Sequence, residues 1–184
     1  MATESKSPEA TPDLRYPVGK FKRPEVVSAQ DRETFIAEIE AAPAKLRAAA
    51  AGLPDEKLNR PYRPGGWTVR QVIHHLPESH MNAYIRFKLA LTEDEPTIKT
   101  YEESLWAKTG DVEKTPPDVS LDMLELLHKR WVILLRSITP EEWSRTFRHR
   151  EMGLLRIDQN LALYAWHGKH HVAHITALRE REGW

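Results

Sequence analysis

Apolar residues recur every three or four positions in four long segments, the spacing that places them along one face of an α-helix. Ser28 and Asp158 are candidate caps of the first and last segments, and Thr68 with Gln71 forms a capping box at the start of the second. The predicted helices cover residues 28–51, 68–91, 119–138 and 159–181. Four helices of this length with little predicted strand indicate an all-α fold, an antiparallel four-helix bundle.

Prolines and polar stretches interrupt or separate these helices. Pro43 lies inside the first helix and is expected to kink it or split it in two, and Pro77 predicts a local bend in the second. Residues 92–117 are rich in Glu, Asp, Thr and Pro and predict a long loop with one helical turn around Glu102–Ala107. A loop of this length is usually functional or mobile. Residues 145–157 are expected to form a small β-hairpin.

The N-terminal segment differs in composition from the rest of the chain. Residues 1–13 are rich in Pro, Ser, Thr and charged side chains, which predicts a disordered extension. The residues that follow, up to about residue 27, contain one apolar cluster and are expected to form an extended arm lying on the bundle. A single domain is therefore predicted over residues 14–184.

Charge and composition exclude several classes of function. The 184 residues include 27 Lys and Arg against 27 Asp and Glu, so no basic excess indicates nucleic acid or an anionic membrane as a partner. No apolar run is long enough to span a membrane, and the first residues lack the apolar core of a secretory signal. The absence of cysteine excludes thiolate metal sites, disulfides and a cysteine nucleophile. A soluble, cytoplasmic protein is expected.

Histidines carry the candidate chemistry. His167 and His171 are four residues apart in the last predicted helix, so their imidazoles lie one above the other on one face and can bind the same metal ion. A second pair, His74 and His75, lies near the start of the second helix, and the spacing does not choose between its two members. One of them would complete a three-histidine site, which leaves a coordination position open for water or substrate.

Other histidines fall close to these positions. His174 continues the stripe formed by His167 and His171, whereas His170 falls outside it, and His80 lies near the middle of the apolar stripe of the second helix. Clustered histidines can also be ordinary exposed polar side chains, because His-x-x-x-His pairs arise by chance in helices. Spacing alone therefore leaves a metal site and a polar surface as alternatives.

Several sequence segments resemble one known family. The stretches Gly65-Gly66-Trp67-Thr68-Val69-Arg70-Gln71-Val72-Ile73-His74-His75-Leu76 and His80-Met81-Asn82-Ala83-Tyr84, together with Tyr16-Pro17-Val18-Gly19 and the segment Trp166 to Ile175, are similar to the DinB/YfiT-like family. The similarity is to its YfiT branch of metal-dependent hydrolases and extends from about residue 14 to the end of the chain. Only the first dozen residues are additional.

The resemblance implies a four-helix bundle with one divalent metal ion, zinc or nickel, per chain. Its pattern assigns the metal ligands to His75, His167 and His171, with none of the three positions missing. It also implies a homodimer, and it predicts a small molecule as substrate. Because relatives on this fold catalyse different reactions, the fold alone does not define the chemistry.

Three functions are consistent with such a site. The first is a metal-dependent hydrolase that activates water, with Glu78 or His174 as the candidate general base and catalytic residue. The second is a metal-dependent S-transferase that activates an external low-molecular-weight thiol similar to bacillithiol, since the chain has no thiol of its own. The third is a metal-binding bundle without catalysis.

Overall fold

Four long helices form the body of the protein in the part of the chain that the structure, a computed structural model, describes (residues 13–184). The α-helices are α1 (Ala29–Ala50), α2 (Asp55–Leu58), α3 (Val69–Thr92), α4 (Glu103–Trp106), α5 (Gly110–Lys114), α6 (Pro117–Ser137) and α7 (Ile157–Glu182). A 3₁₀ turn (Glu142–Ser144) and the strands β1 (Thr146–His149) and β2 (Gly153–Arg156) separate α6 from α7. The predicted disorder of residues 1–13 falls, apart from Asp13, outside the described residues.

Each long helix packs against two of the others, with α1 and α3 on one diagonal of the bundle and α6 and α7 on the other. α1 runs parallel to α7, because Glu38 pairs with Lys169 and Arg179 donates to the Ala49 carbonyl. α3 runs parallel to α6, as shown by the pairs His74–Ser120 and Tyr84–Arg130. α1 and α6 are antiparallel, as shown by Glu40–Arg136 and Arg47–Asp122. α3 and α7 are also antiparallel, as shown by Arg86–Tyr164 and His75–His167. The predicted four-helix bundle is confirmed; two of its four neighbouring helix pairs are antiparallel, as expected, and the other two are parallel.

Capping chemistry sets the helix starts. Ser28 caps α1 and Thr68 caps α3, each through the predicted side chain to backbone bond. The last helix begins two residues earlier than expected, with Arg156 rather than Asp158 at its cap, and the two side chains form an ion pair at 3.0 Å. Neither proline splits its helix, since Pro43 and Pro77 both lie inside continuous helices.

The connection over residues 93–116 brings the chain from the end of α3 back to the start of α6, which parallel neighbours require. It contains α4, at the position of the predicted helical turn, and in addition α5, and Gln71 of α3 donates to its Ala107 carbonyl at 2.8 Å. The predicted hairpin is present as an antiparallel pair in which Phe147 faces Leu155.

Residues 13–28 form the predicted arm and lie along α7. Backbone carbonyls of this arm accept hydrogen bonds from three side chains of α7, at 3.0–3.3 Å: Gln159, Trp166 and His174. The arm therefore covers the helix that carries four of the nine histidines. Within residues 13–184, no helix combines the length and apolarity needed to cross a membrane.

Trp131 is the largest side chain that is fully buried, and its ring packs edge-on against Phe87, Tyr164, His80 and His128 at centroid distances of 5.6–5.8 Å. Trp131→Ala is expected to lower the free energy of unfolding by about 3–5 kcal/mol, because it removes apolar contacts and leaves a cavity. Urea unfolding followed by circular dichroism measures the change.

Trp106→Ala is the matched control for this substitution. Trp106 lies on the connection between α3 and α6 and is 37% exposed, so a loss below about 1 kcal/mol is expected for its replacement. Equal losses for the two variants would contradict the position of Trp131 at the centre of the core.

Candidate metal centre

Three histidines from two antiparallel helices meet between α3 and α7. One ring nitrogen from each of His75, His167 and His171 lies within 4.8 Å of the other two. The Nε2 atoms of His75 and His167 are 3.4 Å apart, close to the separation of about 3.3 Å that two nitrogens have around a tetrahedral zinc ion at 2.0–2.1 Å. The geometry therefore fits one metal ion held by three imidazoles.

Helix geometry explains why these side chains converge. His167 and His171 are one turn apart in α7, and their ring centroids are 4.5 Å apart. Between them, Gly168 has no side chain, and a Cβ there would be 3.3 Å from Cβ of Ala42 on α1. This glycine lets α1 approach one side of α7 while the two histidines face α3.

The structure separates the two members of the His74–His75 pair. His74 Nδ1 lies 2.7 Å from Ser120 Oγ on α6, whereas the ring of His75 lies 5.3 Å from that of His167 and 4.8 Å from that of His171. His75 thus faces α7 and the other two histidines that the family resemblance names, whereas His74 faces α6.

The protein environment keeps these imidazoles neutral. Burial lowers the pKa of His75 to about 3, and burial together with neighbouring imidazoles holds the pKa of His167 and His171 well below 6.5. Neutral imidazole is the form that binds a metal ion, so the electrostatics fit a metal site as well as the distances do.

Trp67 forms one wall of the site. Its ring lies 4.6 Å from that of His75 and is stacked against His171 at 6.2 Å. Trp166, next to His167 in the sequence, stacks on His170 at 4.4 Å and donates to the Gly19 carbonyl of the arm.

Comparison with known proteins identifies the family. A model of the DinB superfamily matches residues 38–175. The chain belongs to this superfamily. Relatives from Bacillus cereus (strain 03BB102) and Bacillus thuringiensis subsp. konkukian (strain 97-27), both named "Putative metal-dependent hydrolase", are 54% identical over 172 residues, which is 94% of this chain and 99% of theirs.

A solved structure supports the same assignment within the DinB superfamily. YfiT from Bacillus subtilis, described as a probable metal-dependent hydrolase with an unusual four-helix bundle topology, is 46% identical. It superposes with a TM-score of 0.90 and covers 93% of this chain and 98% of its own. The resemblance to the YfiT branch is confirmed.

The two candidate bases of this DinB-superfamily protein occupy different surroundings. The Glu78 carboxylate is half-buried and has no hydrogen-bond or ion-pair partner within residues 13–184; burial, and then the charge of Asp111, raise its pKa. His174 is buried, stacks on Tyr62 at 3.8 Å and has Nε2 3.3 Å from the Arg15 carbonyl of the arm. Burial lowers the pKa of His174 to about 4.

Two further histidines join the site behind His167. His80 Nε2 lies 3.1 Å from His167 Nδ1, and His80 Nδ1 lies 2.7 Å from His128 Nε2. The sequence placed His80 in an apolar stripe and did not single out His128. The apolar stripe of α6 contains Leu121, Leu124, Trp131 and Leu135, and His128 is the one polar residue within it. This interruption of the stripe was the only indication of His128 that the sequence offered.

Proposed function

We propose that this protein is a metal-dependent hydrolase of small molecules, with one zinc or nickel ion held by His75, His167 and His171. The observation that supports it is the convergence of three neutral imidazole nitrogens within 4.8 Å, two of them from adjacent turns of one helix. A divalent ion held there would supply Lewis acidity, which polarises the bond to be cleaved and lowers the pKa of water.

Glu78 is proposed as the general base. It lies one turn after His75 on α3, and a carboxylate with a raised pKa and no bonded partner can accept a proton from water. His174 is the weaker candidate because a pKa near 4 makes its imidazole a poor base at neutral pH. Since a carbonyl oxygen only accepts, His174 Nε2 donates to Arg15 and holds the arm against α7.

Glu78→Gln is expected to lower kcat by about 10²–10⁴-fold, the usual contribution of a general base, with metal content unchanged. His174→Gln is the matched comparison and is expected to lower kcat by less than about tenfold. Steady-state kinetics and elemental analysis on the same preparations measure both quantities. The opposite ranking would assign the base to His174, and a metal-loaded Glu78→Gln variant with full kcat would exclude Glu78.

A substrate screen tests the reaction class. Metal-loaded protein is assayed on model esters and amides, with and without a low-molecular-weight thiol and an electrophile, and the His75→Ala variant is the control for contaminating activity. Hydrolysis without added thiol is expected. Turnover that requires the thiol would replace the hydrolase with an S-transferase, and metal binding without any turnover would favour a non-catalytic metal-binding bundle. The homodimer and the cytoplasmic location stay predictions.

A further inference from the structure

One continuous chain of hydrogen bonds crosses all four long helices. It runs from His167 on α7 to His80 on α3 at 3.1 Å, from His80 to His128 on α6 at 2.7 Å, and from His128 Nδ1 to the Ile39 carbonyl of α1 at 2.6 Å. We call His167, His80, His128 and this carbonyl the imidazole chain. His80 and His128 are 0% and 2% exposed, so water does not compete for these bonds.

The carbonyl at one end determines the direction of every bond in the imidazole chain. A carbonyl oxygen can only accept, so His128 Nδ1 donates to Ile39. A neutral imidazole has one N–H, so His128 Nε2 accepts from His80 Nδ1, and His80 Nε2 in turn accepts from His167 Nδ1. His167 is left with an unprotonated Nε2, the atom that lies 3.4 Å from His75 Nε2.

Pro43 explains why the Ile39 carbonyl is free to accept. In an α-helix the carbonyl of residue 39 receives the N–H of residue 43, and proline has no N–H. Because α1 continues without a break through Pro43, the Ile39 carbonyl stays in helical position without its usual donor. His128 supplies the missing hydrogen bond. Pro43, which was predicted to kink or split α1, thus leaves a backbone carbonyl free to accept a hydrogen bond inside the bundle.

We propose that the imidazole chain, with the acceptor created by Pro43, fixes His167 in its Nδ1–H tautomer and presents the Nε2 lone pair to the metal ion. His80 and His128 are therefore positioning residues that act through His167. Metal-binding histidines commonly donate their other N–H to a carboxylate or carbonyl; here two imidazoles stand between the ligand and the carbonyl. The link to metal binding rests on the proposed function, whereas the tautomer itself can be observed without metal.

The first test is ¹⁵N NMR of the metal-free, histidine-labelled protein, in which protonated and unprotonated ring nitrogens resonate at different shifts. His167 is expected to carry its proton on Nδ1 in the wild type and to become a mixture of tautomers in His128→Leu. His128→Gln is the conservative control because its amide oxygen can still accept from His80. A wild-type His167 protonated on Nε2 would overturn the proposal whether or not the protein binds metal.

The second readout is zinc affinity, measured by competition with a chelator. His128→Leu is expected to weaken zinc binding by about 10–100-fold, the usual effect of removing a residue that supports a metal ligand through hydrogen bonds. His128→Gln is expected to retain most of the wild-type zinc affinity. A folded His128→Leu variant with wild-type tautomer and wild-type affinity would show a purely structural role and overturn the proposal.

Pro43→Ala is a further variant that leaves every histidine in place. Its new N–H competes with His128 for the Ile39 carbonyl, so the His128 Nδ1 proton is expected to move upfield as its hydrogen bond weakens, with a smaller loss of zinc affinity in the same direction. An unchanged proton resonance would overturn the part assigned to Pro43.

Discussion

Replacing His75, His167 or His171 with alanine is expected to remove the metal ion from a protein that stays helical. Each residue supplies one of three nitrogens that lie within 4.8 Å of one another. Removing the residue that hydrogen-bonds to a metal ligand typically lowers the metal affinity about 10–100-fold. Removing a ligand itself is therefore expected to lower the metal affinity by more than that. Zinc affinity by chelator competition, with circular dichroism of the same samples, measures both effects.

His170→Ala is the matched control for these ligand variants. It removes an imidazole from the same helix, one residue from His171, and its ring stacks on Trp166 rather than completing the three-nitrogen group. It is expected to bind zinc as the wild type does, and any hydrolysis that the screen detects should persist in it and disappear in the three ligand variants. Unchanged affinity in any ligand variant would contradict the assignment.

The metal-free protein is expected to unfold cooperatively in mild acid. An unfolded histidine has a pKa of about 6.5, whereas burial lowers the pKa of His75 to about 3 and of His128 to about 4, and that of His80 is well below 6.5. Below pH 6.5 the unfolded chain therefore binds more protons than the folded protein. The stability present at neutral pH is lost as the pH falls from about 6.5 toward the folded-state values.

The size of this acid effect follows from the number of buried imidazoles. Below pH 6.5, each deeply buried neutral imidazole lowers the free energy of unfolding by about 1.4 kcal/mol per pH unit. His75, His80 and His128 together therefore remove about 4 kcal/mol per pH unit, against a typical total stability of about 5–15 kcal/mol. The midpoint of acid unfolding, followed by circular dichroism, is expected above pH 4. His170→Leu, which removes another histidine with a lowered pKa, should move it to lower pH. A fold that persists at pH 3 would contradict the neutral buried state.

The sequence predicted the four long helices because capping residues and apolar periodicity are local properties. It also identified His167 and His171 as neighbours, since residues four apart share a helix face whatever the rest of the fold does. The choice of His75 over His74 came from the family resemblance and not from periodicity. In the structure, His74 instead contacts Ser120 of α6, which is 46 residues away in the sequence.

The imidazole chain could not be predicted from the sequence. Its members come from four helices that are far apart in sequence, and helical periodicity says which face a residue occupies but not which helix it meets. Pro43 shows the same limit, because proline inside a helix usually indicates a kink. Only the position of His128 opposite Ile39 reveals that the unpaired carbonyl has another donor.

X-ray absorption spectroscopy of the protein loaded with one equivalent of zinc tests the central claim most directly. It reports the type, number and distance of the atoms around the metal. The structure predicts three imidazole nitrogens at about 2.0–2.1 Å, with the imidazole signal reduced in His75→Ala. A zinc environment made of oxygen atoms alone, or a protein that retains no zinc after gel filtration, would contradict the three-histidine site and the proposed hydrolase with it.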